Sequence, residues 1–413
     1  MAVGSAAPEA EPLAERLAPI RVAHLLDGRH FGGAEQMVLR LAEASPSVRV
    51  EASVYCLAEG RTSRSLRERG LNVEVFPCAG RFDFRPLGPL GRSLQAHRVE
   101  LLQAHSSRTH LWARLLSRRL GLPNITTIQS PIALDENRGF GRHRLRAWVE
   151  RLGRPWTERL CPVSEAEAER LIDREAAPPA KVRCIPNAVA AIPRDQLRTL
   201  QDRGPLAGWL AERGWPPATF VLVMIAALRP RKGAEVLLRA LGRRVAEGGE
   251  GLLIVIGDGE FTGRRRYLES LRRLAGELGL AGRAHFTGFD PDPWRLAAGA
   301  DAVVLPSLFG EGLPLTLIEA MNHARPILAS DVPGNRECVE HGRTGWLHGP
   351  GQAAQLAAQI AEAARDRPRL TEFGRAGRGL FERKFQLAVV LPRWRALYEE
   401  LLAERRGPRP TPR

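Results

Sequence analysis

The chain has 413 residues and a formal net charge of +15, with 44% hydrophobic and 26% charged residues. That length exceeds what one hydrophobic core usually supports, so two domains are expected, and the composition is that of a soluble globular protein. Five scattered cysteines (Cys56, Cys78, Cys161, Cys184, Cys338) form no CxxC or His/Cys spacing, which speaks against a disulfide framework or zinc site and fits a reducing cytoplasm.

Residues 1–19 are Ala/Glu/Pro-rich and read as a disordered leader, unlike a signal peptide. Ile20 to Leu26 predicts a strand running into Asp27-Gly-Arg-His-Phe-Gly-Gly33, with a helix from Ala34 to Ala44. Strands are predicted at Val50–Cys56, Val73–Phe76, Val99–Ala104 and Asn124–Gln129. Helices at Thr62–Arg69, up to His97 and at Arg108–Leu120 separate them. Such βα alternation implies an open, mostly parallel sheet covered on both faces. From Arg138 to Leu160 the chain becomes basic and amphipathic, with Trp148 and Trp156 among arginines. Over Arg81 to Leu160 there are 15 arginines against 6 acids, a local charge of +9. This segment reads either as a contact with an anionic membrane surface or as a solvated helix face with its aromatics in the core.

A strand at Leu160–Val163 and a helix from Ser164 to Arg174 complete a first domain over 20–192. Residues 193–217, with Gly204-Pro205 and Pro216-Pro217, suit an interdomain connection containing a short helix. The rhythm restarts over 218–384. Strands are predicted at Phe220–Ala227, Leu252–Ile256, Ala284–Thr287, Ala302–Leu305 and Ile327–Ala329, and a long helix begins at Gln352. An amphipathic helix from Leu387 (385–404) and a disordered Pro/Arg-rich tail (405–413) end the chain. Phe220 to Leu228 is the longest uninterrupted apolar run and is too short to span a bilayer.

Chemistry gathers in Pro306 to Met321, where a strand, a Gly/Pro loop and a helix start carry two carboxylates, Glu311 and Glu319. Unpaired N–H groups at a helix start favour a phosphate, and the acids suit sugar hydroxyls. An ordinary βα corner with surface glutamates is the plainer alternative. Arg229 and Lys232 follow the first strand of the second half, where ligands of such sheets bind. Lysine occurs only at 181, 232 and 384, so an ammonium at 232 suggests a point-charge role.

Gly32-Gly33-Ala34-Glu35, Arg229…Lys232-Gly233, Gly257-Asp258-Gly259, Pro306-Ser307 and Glu311-x7-Glu319 occur in the order found in the retaining GT-B glycosyltransferases. The chain resembles glycosyltransferase family 4 (group 1) from Ile20 to Leu402, with one extra loop residue, Gly310. The resemblance implies an α/β GT-B fold: two Rossmann-like doubly wound domains facing across a cleft, with the last helix crossing back to the first. It implies transfer of a hexose from a nucleotide diphosphate sugar to a glycan or lipid-linked acceptor, as in cell-surface polysaccharide biosynthesis, without metal or other cofactor. Arg229 and Lys232 would bind the diphosphate together with Gly33 and the backbone of Gly312, Leu313, Pro314, Leu315 and Thr316. Gly32 and Gly257 would shape the donor site, Glu319 would hold the ribose and Glu311 the transferred sugar.

Gln129 stands where the family has a sugar-contacting histidine. It can hydrogen-bond but cannot carry charge, so the alternative is a non-catalytic nucleotide-sugar-binding relative. His105 is a candidate partial substitute. An epimerase on the same scaffold is disfavoured by the Glu-x7-Glu pattern. A metal pair at Asp290-Pro-Asp292 is disfavoured by two Rossmann-like halves, and nucleic-acid binding by the lack of a recognisable module. The expected location is the cytoplasm, peripheral to the inner membrane face.

Overall fold

The computed structural model describes residues 18–29, 32–80, 83–130, 150–201, 203–257 and 265–406. The expected leader up to residue 17, the basic stretch up to residue 149, Asp258-Gly259 and the tail beyond 406 lie outside these residues.

There are two six-stranded sheets. The first contains β1 (Ile20–Leu26), β2 (Val50–Cys56), β3 (Val73–Val75), β4 (Leu101–Ala104), β5 (Asn124–Ile128) and β6 (Arg159–Pro162), in the order β3-β2-β1-β4-β5-β6. The second contains β7 (Val221–Ile225), β8 (Leu252–Ile256), β9 (Ala284–Gly288), β10 (Ala302–Leu305), β11 (Ile327–Ser330) and β12 (Gly345–His348), in the order β12-β11-β10-β7-β8-β9. Both orders are the doubly wound 3-2-1-4-5-6 arrangement. The registered pairs are parallel, as Ile20↔Val50 and Val221↔Leu252 show.

Parallel strands covered on both faces read as continuous apolar runs, as in the buried Val-Leu-Val-Met of β7 and the Leu-Leu-Ile-Val-Ile of β8. Neighbouring residues serve opposite cores. Leu25 and Tyr55 pack with Leu90, Trp112 and Leu116, whereas Leu26 and Cys56 pack with Val38 and Leu66. In the second sheet Leu222, Met224, Leu253, Val255 and Leu328 share a core with Leu237 and Leu241 of one helix and Leu356 and Ile360 of another.

The chain divides into two compact units. One holds the described residues up to Thr127, Pro155–Arg159 and the chain from Leu391; the other holds Ile128–Arg154 and Leu160–Val390. In the first unit the end of the final helix, Leu387–Arg406, is anchored by specific bonds. Arg395 donates to the carbonyls of Val48 (2.7 Å), Arg49 (2.9 Å) and Ala18 (3.0 Å), and the Tyr398 hydroxyl donates to Gln103 Oε1 at 2.6 Å. That helix extends through Arg405 and Arg406, which the sequence reading placed in the tail; Arg405 donates to the Gly121 carbonyl at 2.6 Å.

Two further details differ from expectation. The segment 193–217 carries two helices, Arg194–Gln201 and Gly204–Ala211, because Leu206 and Leu210 are buried and Arg203 donates to the Thr219 carbonyl at 2.9 Å. The single helix expected from Gln352 is two, Ala353–Arg365 and Arg367–Lys384. Pro368 cannot continue the first helix, and Asp366 caps the second through Arg369 N at 3.0 Å.

Candidate functional site

In the second sheet β7 pairs with β10 on one side and β8 on the other, so successive connections leave in opposite directions. Such a switch point opens a crevice at the carboxyl ends of the strands. The loops after β7 and β10 meet there. Gly233 has φ +72°, and a Cβ on it would lie 2.0 Å from the Pro306 carbonyl oxygen, so only glycine permits the approach. Leu308 N donates to the Arg231 carbonyl at 2.7 Å, fixing one loop to the other.

Glu311 sits in this junction, 8% exposed. Its Oε1 accepts from Lys232 Nζ at 2.7 Å, Ser307 Oγ at 2.6 Å and Arg231 Nη1 at 3.3 Å. Arg231 also reaches the carbonyl of the extra residue, Gly310, at 3.2 Å. Burial pushes the Glu311 carboxyl up, but the charges of Lys232 and Arg231 outweigh it and hold the group below the usual carboxylate range. Burial lowers Lys232, Glu311 raises it, and the charges of Arg231 and Arg229 lower it further. Two cations thus contact the carboxylate and a third, Arg229, acts on Lys232, an excess of positive charge that an anion at this position would relieve.

Behind Glu311 a buried chain holds the loop. Ser330 Oγ donates to the Ser307 carbonyl, and Asn335 Nδ2 donates to the Ser330 carbonyl at 2.9 Å. The following backbone is packed as closely. A Cβ on Gly312 would lie 2.1 Å from the Gln129 carbonyl oxygen, and one on Gly334 2.5 Å from the Gly312 carbonyl oxygen. The Leu313 carbonyl accepts from Asn187 Nδ2 at 2.9 Å. Pro314 then caps the helix Leu315–Asn322, whose first N–H groups have no intrahelical partner, and Thr316 Oγ1 donates to the Ile225 carbonyl of β7 at 3.1 Å. At the end of β8, Gly257 (φ +156°) lies against the Ala226 carbonyl oxygen, 1.8 Å from where a Cβ would stand.

Glu319 lies about one turn along that helix. Its Oε2 accepts from Trp294 Nε1 at 2.8 Å, and the Trp294 ring stacks on His323 with centroids 4.3 Å apart and planes at 10°. His323 Nδ1 donates to the Glu319 carbonyl at 2.9 Å.

Two family models match: the Glycosyltransferase Family 4 model over residues 31–191 and the Glycosyl transferases group 1 model over residues 209–380. The chain belongs to this glycosyltransferase family. The UDP-Gal:alpha-D-GlcNAc-diphosphoundecaprenol alpha-1,3-galactosyltransferase of Escherichia coli is 23% identical over 338 residues, 79% of this chain and 84% of that protein. A GDP-mannose-dependent alpha-(1-6)-phosphatidylinositol monomannoside mannosyltransferase of Mycobacterium tuberculosis is 33% identical over 168 residues, 38% of this chain and 41% of that protein. The crystal structure of Anabaena Alr3699/HepE in complex with UDP and glucose matches with a TM-score of 0.79 at 22% identity, over 92% of this chain and 100% of that one. Sucrose-phosphate synthase from Thermosynechococcus elongatus matches with a TM-score of 0.75 at 20% identity, over 93% and 100%. The fold is therefore GT-B.

Among the residues expected at a family 4 site, the structure brings Lys232, Glu311, Gly312, Leu313 and Gln129 together, with Pro314, Leu315, Thr316 and Glu319 on the adjoining helix start. Arg229 immediately precedes the short turn Pro230–Lys232, and its charge reaches Lys232. Gly32 and Gly33 belong to the first unit, where Gly33 opens the helix Gly33–Ala44 and Gly32 N donates to Glu35 Oε2 at 2.9 Å. His105 lies in that unit too, buried, with its Nε2 3.0 Å from His24 Nδ1. Burial and neighbouring His24 hold His105 well below the ordinary histidine value, so it is neutral at pH 7. Sequence reading missed Arg231, Trp294 and His323. Arg231 was one arginine among many, and Trp294 meets Glu319 from another helix; His323, four residues after Glu319, carried a helical spacing that could have flagged it.

Proposed function

We propose that this glycosyltransferase transfers a hexose with retention of anomeric configuration from a nucleoside diphosphate sugar to a glycan or lipid-linked acceptor. The carrying observation is buried Glu311 held by Arg231 and Lys232 at the switch point, with the charge of Arg229 reaching Lys232, beside the start of the helix Leu315–Asn322. Positive side chains and helix-terminal N–H groups together suit a diphosphate that gains charge as it leaves. In this reading Arg229 and Lys232 bind the diphosphate, and the backbone from Gly312 to Thr316 completes the cradle. Arg231, Lys232 and Ser307 all bond Glu311 through Oε1, and Oε2 would accept from the hydroxyls of the transferred sugar. Glu319 accepts from the ribose. The bond between the sugar C1 and the phosphate oxygen breaks, and C1 bonds to the acceptor oxygen on the same face. The acceptor proton passes to the departing phosphate oxygen. These cations take the part a metal would otherwise play, and a reaction unaffected by chelator is the expected behaviour.

The acceptor reading draws on the E. coli relative, whose name specifies a diphosphoundecaprenol substrate. An anionic membrane contact is supported by Leu152 and Trp156, 55% and 45% exposed, and by Arg118 stacked 4.9 Å from the Trp156 ring. Among the described residues no helix is long and apolar enough to cross a membrane. A cytoplasmic protein peripheral to the inner membrane face is the corresponding proposal.

The test is release of nucleoside diphosphate and formation of glycoside from UDP-glucose, UDP-galactose or GDP-mannose with lipid-diphosphate sugar acceptors. Transfer abolished by Lys232→Ala, with an axial product anomer from an axial donor, is the expected result. Donor binding without transfer to any acceptor would favour the non-catalytic alternative, and Gln129→His should then be tried. Sedimentation with anionic vesicles at low salt tests the membrane contact.

A further inference from the structure

Glu319 is the acid the reading above assigns to the ribose, and that assignment is the premise here. A lone glutamate on a helix rotates among several rotamers, and ordering it costs conformational entropy on binding. Here the side chain is already committed. The indole N–H of Trp294, which can only donate, occupies Oε2 at 2.8 Å. Trp294 is itself fixed, because it is buried and lies flat on the His323 ring at 4.3 Å. His323 in turn donates Nδ1 to the Glu319 carbonyl, closing a ring of contacts that returns to the same residue.

The arrangement also settles what Glu319 can recognise. A carboxylate with a donor on one oxygen remains an acceptor, and vicinal hydroxyls are donors spaced to meet it. Burial keeps the His323 ring pKa down at about 4, so at pH 7 no imidazolium competes for the Glu319 charge.

We propose that Trp294 is a positioning residue that sets the ribose specificity of the donor site: its N–H orients Glu319 to accept from the ribose diol, so that ribonucleoside diphosphates bind in preference to their 2′,3′-dideoxy counterparts. Trp294 touches the acid, and the acid touches the sugar. The directed N–H bond makes Trp294, together with Glu319, the origin of the selectivity.

Titration calorimetry of the full chain with UDP, GDP and ADP and the three matching dideoxy compounds tests this. The wild-type chain should favour the ribo form by about 10- to 100-fold, the range for hydrogen bonds to a charged acceptor. Trp294→Phe keeps a ring on His323 and removes only the N–H. It should weaken the ribo form by about 10-fold and leave the dideoxy form unchanged, so the ratio collapses. A general structural defect would weaken both forms alike and leave the ratio intact, which would overturn the proposal. Equal wild-type affinity for ribo and dideoxy forms also overturns it, without recourse to any variant. If the wild type binds none of the three diphosphates, the donor reading itself fails and takes this inference with it.

Discussion

Glu311→Gln separates the electrostatic role of the acid from its shape. The amide is isosteric and keeps an oxygen for Ser307 and Lys232, but the charge between Lys232 at 2.7 Å and Arg231 at 3.3 Å is gone. At an effective dielectric of 20, the Coulomb attraction across 2.7 Å is about 6 kcal/mol. Desolvation of both groups offsets part of it, and breaking one side of a buried pair costs about 3–5 kcal/mol. The retained hydrogen bonds place the substitution at the lower end, about 3 kcal/mol. For a unit of this size that is a fall of about 6 °C or somewhat more in melting temperature.

The charge left behind makes a second expectation. In the variant, Lys232 and Arg231 face no carboxylate, so a bound diphosphate supplies what the substitution removed. Saturating UDP should therefore raise the melting temperature of Glu311→Gln more than that of the wild type, narrowing the gap between them. The pH dependence agrees in sign. Glu311 in the fold is held below its unfolded value, so its contribution is complete above the unfolded pKa and is lost as pH falls through the lower folded one. The variant lacks that loss. A variant melting within about 1 °C of wild type, with an identical UDP shift, would refute the coupling between Glu311 and the cations.

Three other outcomes are expected. Gly233→Ala combines a φ of +72° with a Cβ 2.0 Å from the Pro306 carbonyl oxygen; it should destabilise the donor unit by about 2 kcal/mol or more, read by urea unfolding. Ser307→Ala removes the 2.6 Å bond that orients Glu311 and should lower kcat about 10-fold while UDP affinity in calorimetry stays the same. Burial holds His24 and His348 at about 4, below their unfolded 6.5, so the unfolded chain binds more protons and stability falls as pH drops from 6.5 toward 4. By pH 5 each should have cost about 2 kcal/mol, and His348→Gln should flatten its share of the slope in urea titrations.

The βα order was legible because buried parallel strands such as β7 and β8 are short apolar runs bounded by loops, a pattern local enough to survive without tertiary knowledge. Glu311 and Glu319 were legible because the loop and helix between them fix their spacing. Composition misled in two places. Gly204-Pro205 and Pro216-Pro217 suggested an open connection, yet Leu206 and Leu210 bury two turns of helix between them. Apolar periodicity runs on past Arg365, while Pro368 and the Asp366 cap divide the helix there. The contacts that give the site its chemistry were beyond reach for another reason. Arg231 to Gly310 and Ser330 to Ser307 join segments that meet only because β7, β10 and β11 are neighbours, and Trp294 to Glu319 joins two helices distant in sequence.

Lys232 was singled out because the chain almost never uses lysine, and the geometry supplies a reason for the exception. The junction already holds a planar donor: Arg231 reaches both the Gly310 carbonyl and Glu311 Oε1. A second guanidinium would have to share Oε1 with that fork and with Ser307, and its five directed N–H groups could not all be satisfied in the remaining space. An ammonium needs a single short contact, and Lys232 makes it at 2.7 Å on a partly buried stem. Its remaining donors can turn toward a phosphate without disturbing that contact. Lys232→Arg should accordingly behave as a loss, with weaker UDP binding and transfer reduced toward the level of Lys232→Ala; wild-type turnover in Lys232→Arg would show that charge alone, and not its compactness, is what the site requires.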